Sequence, residues 1–178
     1  MSTAHKYARI ESERRFLLRS LPLSLNTRDV SRITDRYWLN TRMRLRLIET
    51  MDGQVLARKL TQKYIKPGQP PEETTITNQY LNEAEYALFA KLPGLELIKR
   101  RYKHLHHGSG YSIDQFEGEL AGLLLAEIEA GQGVLPTGVV PEFAVCEVTA
   151  EPAFTGGELA CTSAEQLAVL LEEWLGPA

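Results

Sequence analysis

The sequence predicts a mainly β fold with some helix (α+β): an eight-stranded antiparallel closed β-barrel flanked by a few helices. Three observations carry that prediction. Eight stretches alternate in polarity with period two, and hairpin-type turns separate most of them. Five stretches also place charges two residues apart, which puts those charges on one face of a strand.

The strands fall at residues 9–18, 33–39, 42–49, 54–64, 72–81, 96–105, 111–117 and 123–129. Asn40-Thr41 makes a tight connection, Asp52-Gly53 signals a hairpin and Gly108-Ser109-Gly110 signals another. Lys66-Pro67-Gly68-Gln69-Pro70-Pro71 cannot donate to a ladder and reads as an excursion. Asn82, followed three residues later by Glu85, opens a helix over 83–92 that Pro93-Gly94 stops. Ser163 and Gln166 open a second helix to about residue 175, with Leu167, Leu170, Leu171 and Trp174 forming a core face. Residues 21–32, after Pro22, are read as a short helix, and 131–141, rich in Gly and Pro, as a loop.

A chain of 178 residues that is 43% hydrophobic suits one domain with a real core. Its net charge of −3 argues against a broad basic face that grips nucleic acid. The bases are clustered rather than abundant, which points to a local site. Cys146 and Cys161 lack metal-type spacing and read as reduced thiols, with a single bridge between them left open. No apolar run reaches the roughly 18 to 20 residues of a membrane span. Met1 to Arg9 carries no apolar signal region. The expected address is therefore the cytoplasm.

The charged stretches are Glu11-Ser12-Glu13-Arg14-Arg15, Arg42-Met43-Arg44-Leu45-Arg46, Lys59-Leu60-Thr61-Gln62-Lys63, Lys99-Arg100-Arg101 and Glu127-Ile128-Glu129. An ordinary eight-stranded barrel fills its lumen with side chains. Here the inward faces are ionic, so the lumen reads as a ligand site. Glu11, Glu13, Glu127 and Glu129, with Asp114 as a fifth candidate, are carboxylates of the kind that hold a hard divalent cation such as Mg²⁺. Arg15, Arg44, Arg46, Lys59, Lys63, Lys99 and Arg101 suit a chain of phosphates, since Arg forks bind phosphate oxygens bidentately and Lys acts as a point charge.

Plainer readings stand beside these. Lys59 equally suits a rim position, Asp114 a turn-backbone bond, and Tyr37 a core position with its hydroxyl satisfied. Arg14, Arg36, Arg42 and Arg100 read as solvent charges. His104, His106 and His107 flank a turn with no carboxylate or cysteine nearby, and read as an exposed hairpin tip rather than a metal site.

The same residues carry a resemblance. Ile10-Glu11-Ser12-Glu13-Arg14-Arg15-Phe16-Leu17 resembles the ExExK signature of the CYTH domain, the triphosphate tunnel metalloenzyme superfamily. In the family's order, Thr34-Asp35-Arg36-Tyr37-Trp38-Leu39 resembles its QxYL strand, Arg44-Leu45-Arg46 its RxR strand and Leu60-Thr61-Gln62-Lys63 its LTxK strand. Lys99-Arg100-Arg101-Tyr102 resembles KxRY. Ile113-Asp114-Gln115-Phe116-Glu117-Gly118, with Ala121-Gly122-Leu123 and Ala126-Glu127-Ile128-Glu129, resembles DxFxG…GLxxAExE, and Glu147-Val148-Thr149 the closing EVT. The similarity spans residues 10–160 of a single domain covering 1–178, with the helix 163–175 beyond it.

The resemblance implies a tunnel that hydrolyses or rearranges triphosphates with Mg²⁺ or Mn²⁺. It implies Glu11, Glu13, Glu127 and Glu129 as metal ligands and the bases as a phosphate cradle. Tyr37 and Lys99 match positions near the reacting end, which makes them the catalytic candidates. The expected substrate is inorganic tripolyphosphate, a small anion rather than nucleic acid. Adenylate cyclase of the small bacterial type, thiamine triphosphatase and a polyphosphate-binding module without turnover are the alternatives. An apolar outer face leaves homodimerisation open. Two departures stand out. Arg15 occupies the place of the signature Lys, and no Arg precedes Glu72-Glu73, so neither of those glutamates enters the site.

Overall fold

The computed structural model describes residues 7–130 and 139–176. Nine strands run β1 (Arg9–Leu17), β2 (Val30–Tyr37), β3 (Met43–Thr50), β4 (Val55–Tyr64), β5 (Glu73–Tyr80), β6 (Leu95–His106), β7 (Ser109–Phe116), β8 (Leu124–Ala130) and β9 (Cys146–Glu147). Their order in the sheet is β5-β4-β3-β2-β6-β7-β8-β1-β9, every neighbouring pair for which a register is assigned is antiparallel, and β1 also pairs β5. The first eight strands therefore close into a barrel.

The β1–β5 seam is short. It holds only from Arg9↔Ile76 to Ser12↔Glu73. Beyond it, β9 takes the free edge of β1 through Phe16↔Glu147 and Leu17↔Cys146. A side-chain clasp reinforces that contact. Arg14 donates to both Glu147 oxygens at 3.0 and 2.6 Å, Thr149 Oγ1 donates to Glu147 at 2.6 Å, and the Arg15 backbone N–H donates to Thr149 Oγ1 at 3.0 Å. Arg14 does point away from the lumen, but it is buried rather than solvated, a correction to the sequence reading. The reason lies in the distant Glu147, 133 residues along the chain.

The registers sort side chains consistently between the two faces. Glu13 lies opposite Glu129, Arg15 opposite Glu127 and Leu17 opposite Leu125, all facing inward. Asp35↔Arg46, Tyr37↔Arg44, Arg46↔Lys59 and Arg101↔Asp114 continue the inner set. At one end the inward residues turn apolar. Leu17, Leu97, Phe116 and Leu125 pack there on Phe154, Leu159 and Leu167, with Trp174 beside them. Those last residues come from α2 (Gly156–Leu159) and α3 (Ala164–Leu175) and the turn before α2, so the C-terminal segment plugs that end. On the outer face, Phe16, Leu18, Tyr102, Ile113, Leu124, Ala126 and Ile128 form a second core, covered by Leu21, Leu25 and Phe143.

Helix α1 (Glu83–Ala90) starts on the expected Asn82–Glu85 capping box, and α3 on the Ser163–Gln166 box. Helix α1 has no basic residue in its last turn. Arg36 supplies one from β2, donating to the Ala90 and Leu92 carbonyls and to Glu96 at 2.5 Å, where a positive charge suits the helix C-terminus. Arg36 is thus a brace rather than a solvent charge. Arg100 is exposed as expected and pairs Glu117 at 2.6 Å.

The helix expected at 21–32 does not form. Asn26 Oδ1 accepts the Arg28 N–H at 3.0 Å, and such a local side-chain bond competes with helix. Leu21 and Leu25 bury themselves on the outer core instead. The loop expected at 131–141 lies mostly outside the described residues. His104 is buried, not at an exposed tip, because Phe143 covers it from the far side of the chain. Both cysteines are free thiols. Among the described residues no helix is long and apolar enough to cross a membrane.

Candidate functional site

The lumen encloses a cavity of about 550 Å³. Its described lining carries nine cations, Arg9, Arg15, Arg42, Arg44, Arg46, Lys59, Lys63, Lys99 and Arg101, against five carboxylates, Glu11, Glu13, Asp35, Glu127 and Glu129. The excess is cationic although the whole chain is net negative. Such a lining gives the lumen a positive potential.

Glu11, Glu13 and Glu129 gather where β1 meets β8 and β5. Burial raises the Glu129 carboxyl above the usual range, and the charges of Glu11 and Glu13 push it the same way. Glu13 is held by Arg15 at 2.6 Å and Glu11 by Lys63 at 2.6 Å. Burial alone would raise Glu11, but Lys63, Arg44 and Arg9 outweigh it and hold the carboxyl below its ordinary value. Three crowded carboxylates, one of them with its pKa raised, fit a hard divalent cation by donor type.

Glu127 sits deeper. Burial opposes its charge, yet Lys99, Arg101 and Arg15 overrule that and hold it well below the usual carboxylate range. Arg101 donates to it directly and Arg15 Nε at 3.4 Å. In this arrangement Glu127 is already neutralised, unlike Glu129.

The structure brings every sequence-predicted site residue to this lumen except Asp114, which lies beneath it. Asp114 is fully buried and absent from the cavity lining, a correction to its reading as a metal ligand. Lys99 and both edges of the Arg101 guanidinium close over it, the latter at 2.6 Å. It is the counter-ion that fixes two cations. Burial pulls the Lys99 ammonium down from its ordinary value even with Asp114 and Glu127 beside it. Arg42, expected in solvent, is exposed but lines the cavity, its guanidinium 4.9 Å from the Tyr64 ring centre. Lys59 Nζ lies 5.0 Å from the ring of the exposed Tyr80, at the edge of the cation wall. Thr74 lines the cavity, so Glu73 points outward and neither Glu72 nor Glu73 is in the lining.

Asp35 was missed. It is 1% exposed and accepts both Arg46 nitrogens at 2.6 Å, with Arg44 Nε 3.7 Å away. The signal was present: Asp35 stands two residues from Tyr37, on the same face of β2. Burial, and then the Asp35 charge, push the Tyr37 hydroxyl up to about 12, so it is a neutral phenol at neutral pH.

Tyr37 also meets the plug. A Cβ on Gly156 would lie 2.1 Å from the Tyr37 hydroxyl oxygen and 2.9 Å from the ring carbon bearing it. Gly156→Ala must therefore displace Tyr37 or the α2 segment, and overpacking of this kind costs about 1–3 kcal/mol. Thermal unfolding should show that loss in Gly156→Ala. Adding Tyr37→Phe, which removes the clashing oxygen, should recover part of it. Additive losses in the double variant would contradict the contact.

No protein-family model and no curated protein matches the chain. Solved structures do. The inorganic triphosphatase NE1496 matches with a TM-score of 0.55 and 20% identity, over 85% of this chain and 95% of that one. Another structure of NE1496, described as a hypothetical protein, gives 0.55 and 21%, over 86% and 99%. The closed antiparallel barrel and the span of these matches agree, and this chain shares the fold of NE1496.

Proposed function

We propose that this protein is a metal-dependent triphosphatase that hydrolyses inorganic tripolyphosphate and releases orthophosphate. The observation that carries the reading is the lumen itself, with nine cations lining one cavity and three crowded carboxylates at its edge. The fold it shares with the inorganic triphosphatase NE1496 supports the same reading.

Arg15, Arg44, Arg46, Lys63 and Arg101 would bind phosphate oxygens, the guanidinium groups in pairs. Glu11, Glu13 and Glu129 would hold Mg²⁺ or Mn²⁺, with Glu127 joining once phosphates draw Arg15 and Arg101 away. Such an ion supplies charge neutralisation and polarisation of phosphoryl oxygens. Water attacks the terminal phosphorus in line, the bridging P–O bond breaks, and diphosphate leaves. Phosphoryl transfer asks for positioning and electrostatics rather than covalent catalysis. Lys99, with its lowered ammonium pKa and its Asp114 brace, would offset charge or deliver a proton at the leaving oxygen. Tyr37, a neutral phenol beside Arg44, would donate a hydrogen bond near the plugged end.

Phosphate release from tripolyphosphate, ATP and thiamine triphosphate with Mg²⁺ or Mn²⁺ tests the reading. Absence of release from all three sinks it. Tyr64 under Arg42 is an aromatic platform at the exposed edge of the cavity, which favours ATP as the second candidate. Chromatography for cyclic AMP would then separate cyclisation from hydrolysis.

Within the cradle the cations should not be equal. Arg44→Ala removes a lining guanidinium whose Nε has no hydrogen-bond partner among the described residues. It should raise KM about 10- to 100-fold, the range expected from loss of one charge-assisted hydrogen bond. Lys59→Ala, at the edge over Tyr80, should change KM less than about threefold. Steady-state kinetics on the two variants checks the ordering.

A further inference from the structure

We infer that the tip of the β6–β7 hairpin and residue 142 form a second metal site, on the outside of the barrel, for a borderline divalent cation such as Zn²⁺. Its ligands are His106, His107 and Glu142, whose donor atoms all lie within 4.8 Å of one another.

The hairpin turn builds the pair of imidazoles. His106 pairs Ser109 at the end of the ladder, so His107 and Gly108 are the two turn residues. Both have positive φ, 47° for His107 and 78° for Gly108, as a type I′ turn demands. Asn or Asp is the usual first residue of such a turn. Here a histidine fills it, and its ring stands 4.2 Å from that of His106.

The surroundings hold His106 in place. Its ring stacks on the buried His104 at 6.0 Å and meets the edge of Phe143 at 5.0 Å. Phe143 directly follows Glu142, so the same contact brings the carboxylate to the histidines. Among the described residues, no side-chain hydrogen bond or ion pair engages His106, His107 or Glu142. The donors are thus uncommitted, and two of the three residues are exposed.

Two imidazoles and a carboxylate form the donor set of three-ligand zinc sites that leave a fourth position open. Imidazole nitrogen favours Zn²⁺, Ni²⁺ or Cu²⁺ over Mg²⁺, whereas the tunnel offers the all-oxygen donors that suit Mg²⁺ or Mn²⁺. Metal–donor bonds of about 2.0–2.2 Å put tetrahedral donors roughly 3.3 Å apart. The exposed side chains of His107 and Glu142 must therefore draw in by about 1.5 Å. Once bound, the ion would staple the segment that leads into β9 onto the β6–β7 hairpin.

The test is Zn²⁺ titration of the untagged full-length protein by calorimetry, with millimolar Mg²⁺ present throughout to occupy the tunnel acids. One Zn²⁺ should bind per chain with Kd in the micromolar range or tighter. Zn²⁺ at a hundredfold excess over Kd should raise the thermal midpoint by about 5–10 °C. His107→Asn keeps a residue that tolerates positive φ, and with Glu142→Gln it should weaken binding at least tenfold. Glu13→Gln/Glu129→Gln, in the tunnel, should leave Zn²⁺ affinity unchanged. Co²⁺ should give the visible bands of a four-coordinate ion in the wild type and lose them in His107→Asn. The inference is overturned if no Zn²⁺ binds. It is equally overturned if the His107 and Glu142 variants bind like the wild type, or if only the tunnel variant loses affinity.

Discussion

Glu13→Gln/Glu129→Gln is expected to lower metal-dependent turnover at least about 100-fold while leaving the barrel folded. The two carboxylates lie opposite each other on β1 and β8, with Glu11 close by. Burial raises the Glu129 carboxyl and the charges of Glu11 and Glu13 add to it, so neutralising both residues removes a stored cost as well as the cation-holding end. Arg15 loses Glu13 but keeps Glu127. The thermal midpoint should therefore stay level or rise while phosphate release collapses. A proton on Glu129 competes with the ion for the same oxygens. The apparent Mg²⁺ affinity of the wild type should accordingly climb as pH rises through the elevated Glu129 pKa, and the variant should lack that climb. Full activity in the double variant would refute the carboxylate assignment.

Asp35→Asn is expected to cost about 3–5 kcal/mol of stability at neutral pH, because it strips a buried guanidinium of its partner. Asp35 is almost wholly buried and holds both prongs of Arg46. Burial would raise its carboxyl, but Arg46, Arg44 and Lys99 overrule that and depress it below the ordinary value. The sign follows from the depression. Its contribution is fully present above the unfolded carboxyl pKa of about 3.9 and is lost as pH falls below that toward the folded value. Urea unfolding should thus show a large gap between wild type and variant at pH 7 that narrows as pH falls below about 4. Tripolyphosphate should stabilise the variant more than the wild type, since phosphate can take the vacated place beside Arg46. Equal stability at pH 7 would mean that Arg46 finds its compensation elsewhere.

Period-two alternation made the barrel readable because inward charges recur two residues apart, as in Arg44-Leu45-Arg46. Eight strands and two capping boxes followed from local signals alone. Pieces without a period were not readable. The two-residue β9 is held by β1, and the four-residue α2 by the burial of Leu159 in the plugged end. Long-range partners were equally hidden. Asp114 became a counter-ion only because the β6–β7 register sets it opposite Arg101. Glu142 meets His106 and His107 across a separation that no spacing rule reports. Asp35 is a different kind of miss, since its inward phase was legible from Tyr37 and its chemistry was passed over.

The Glu147 clasp on β1 has a temporal consequence. Strand β1 precedes the other eight strands in the chain, yet its two edges are met by β5, β8 and β9, so its set of neighbours is incomplete until residue 149 has been made. Contacts so distant along the chain are slow to form, and an unpaired edge invites pairing with other chains in the interval. Closure therefore waits for β8, and the clasp for Thr149, so a chain truncated before Glu147 should be less stable than the whole chain and more prone to aggregate.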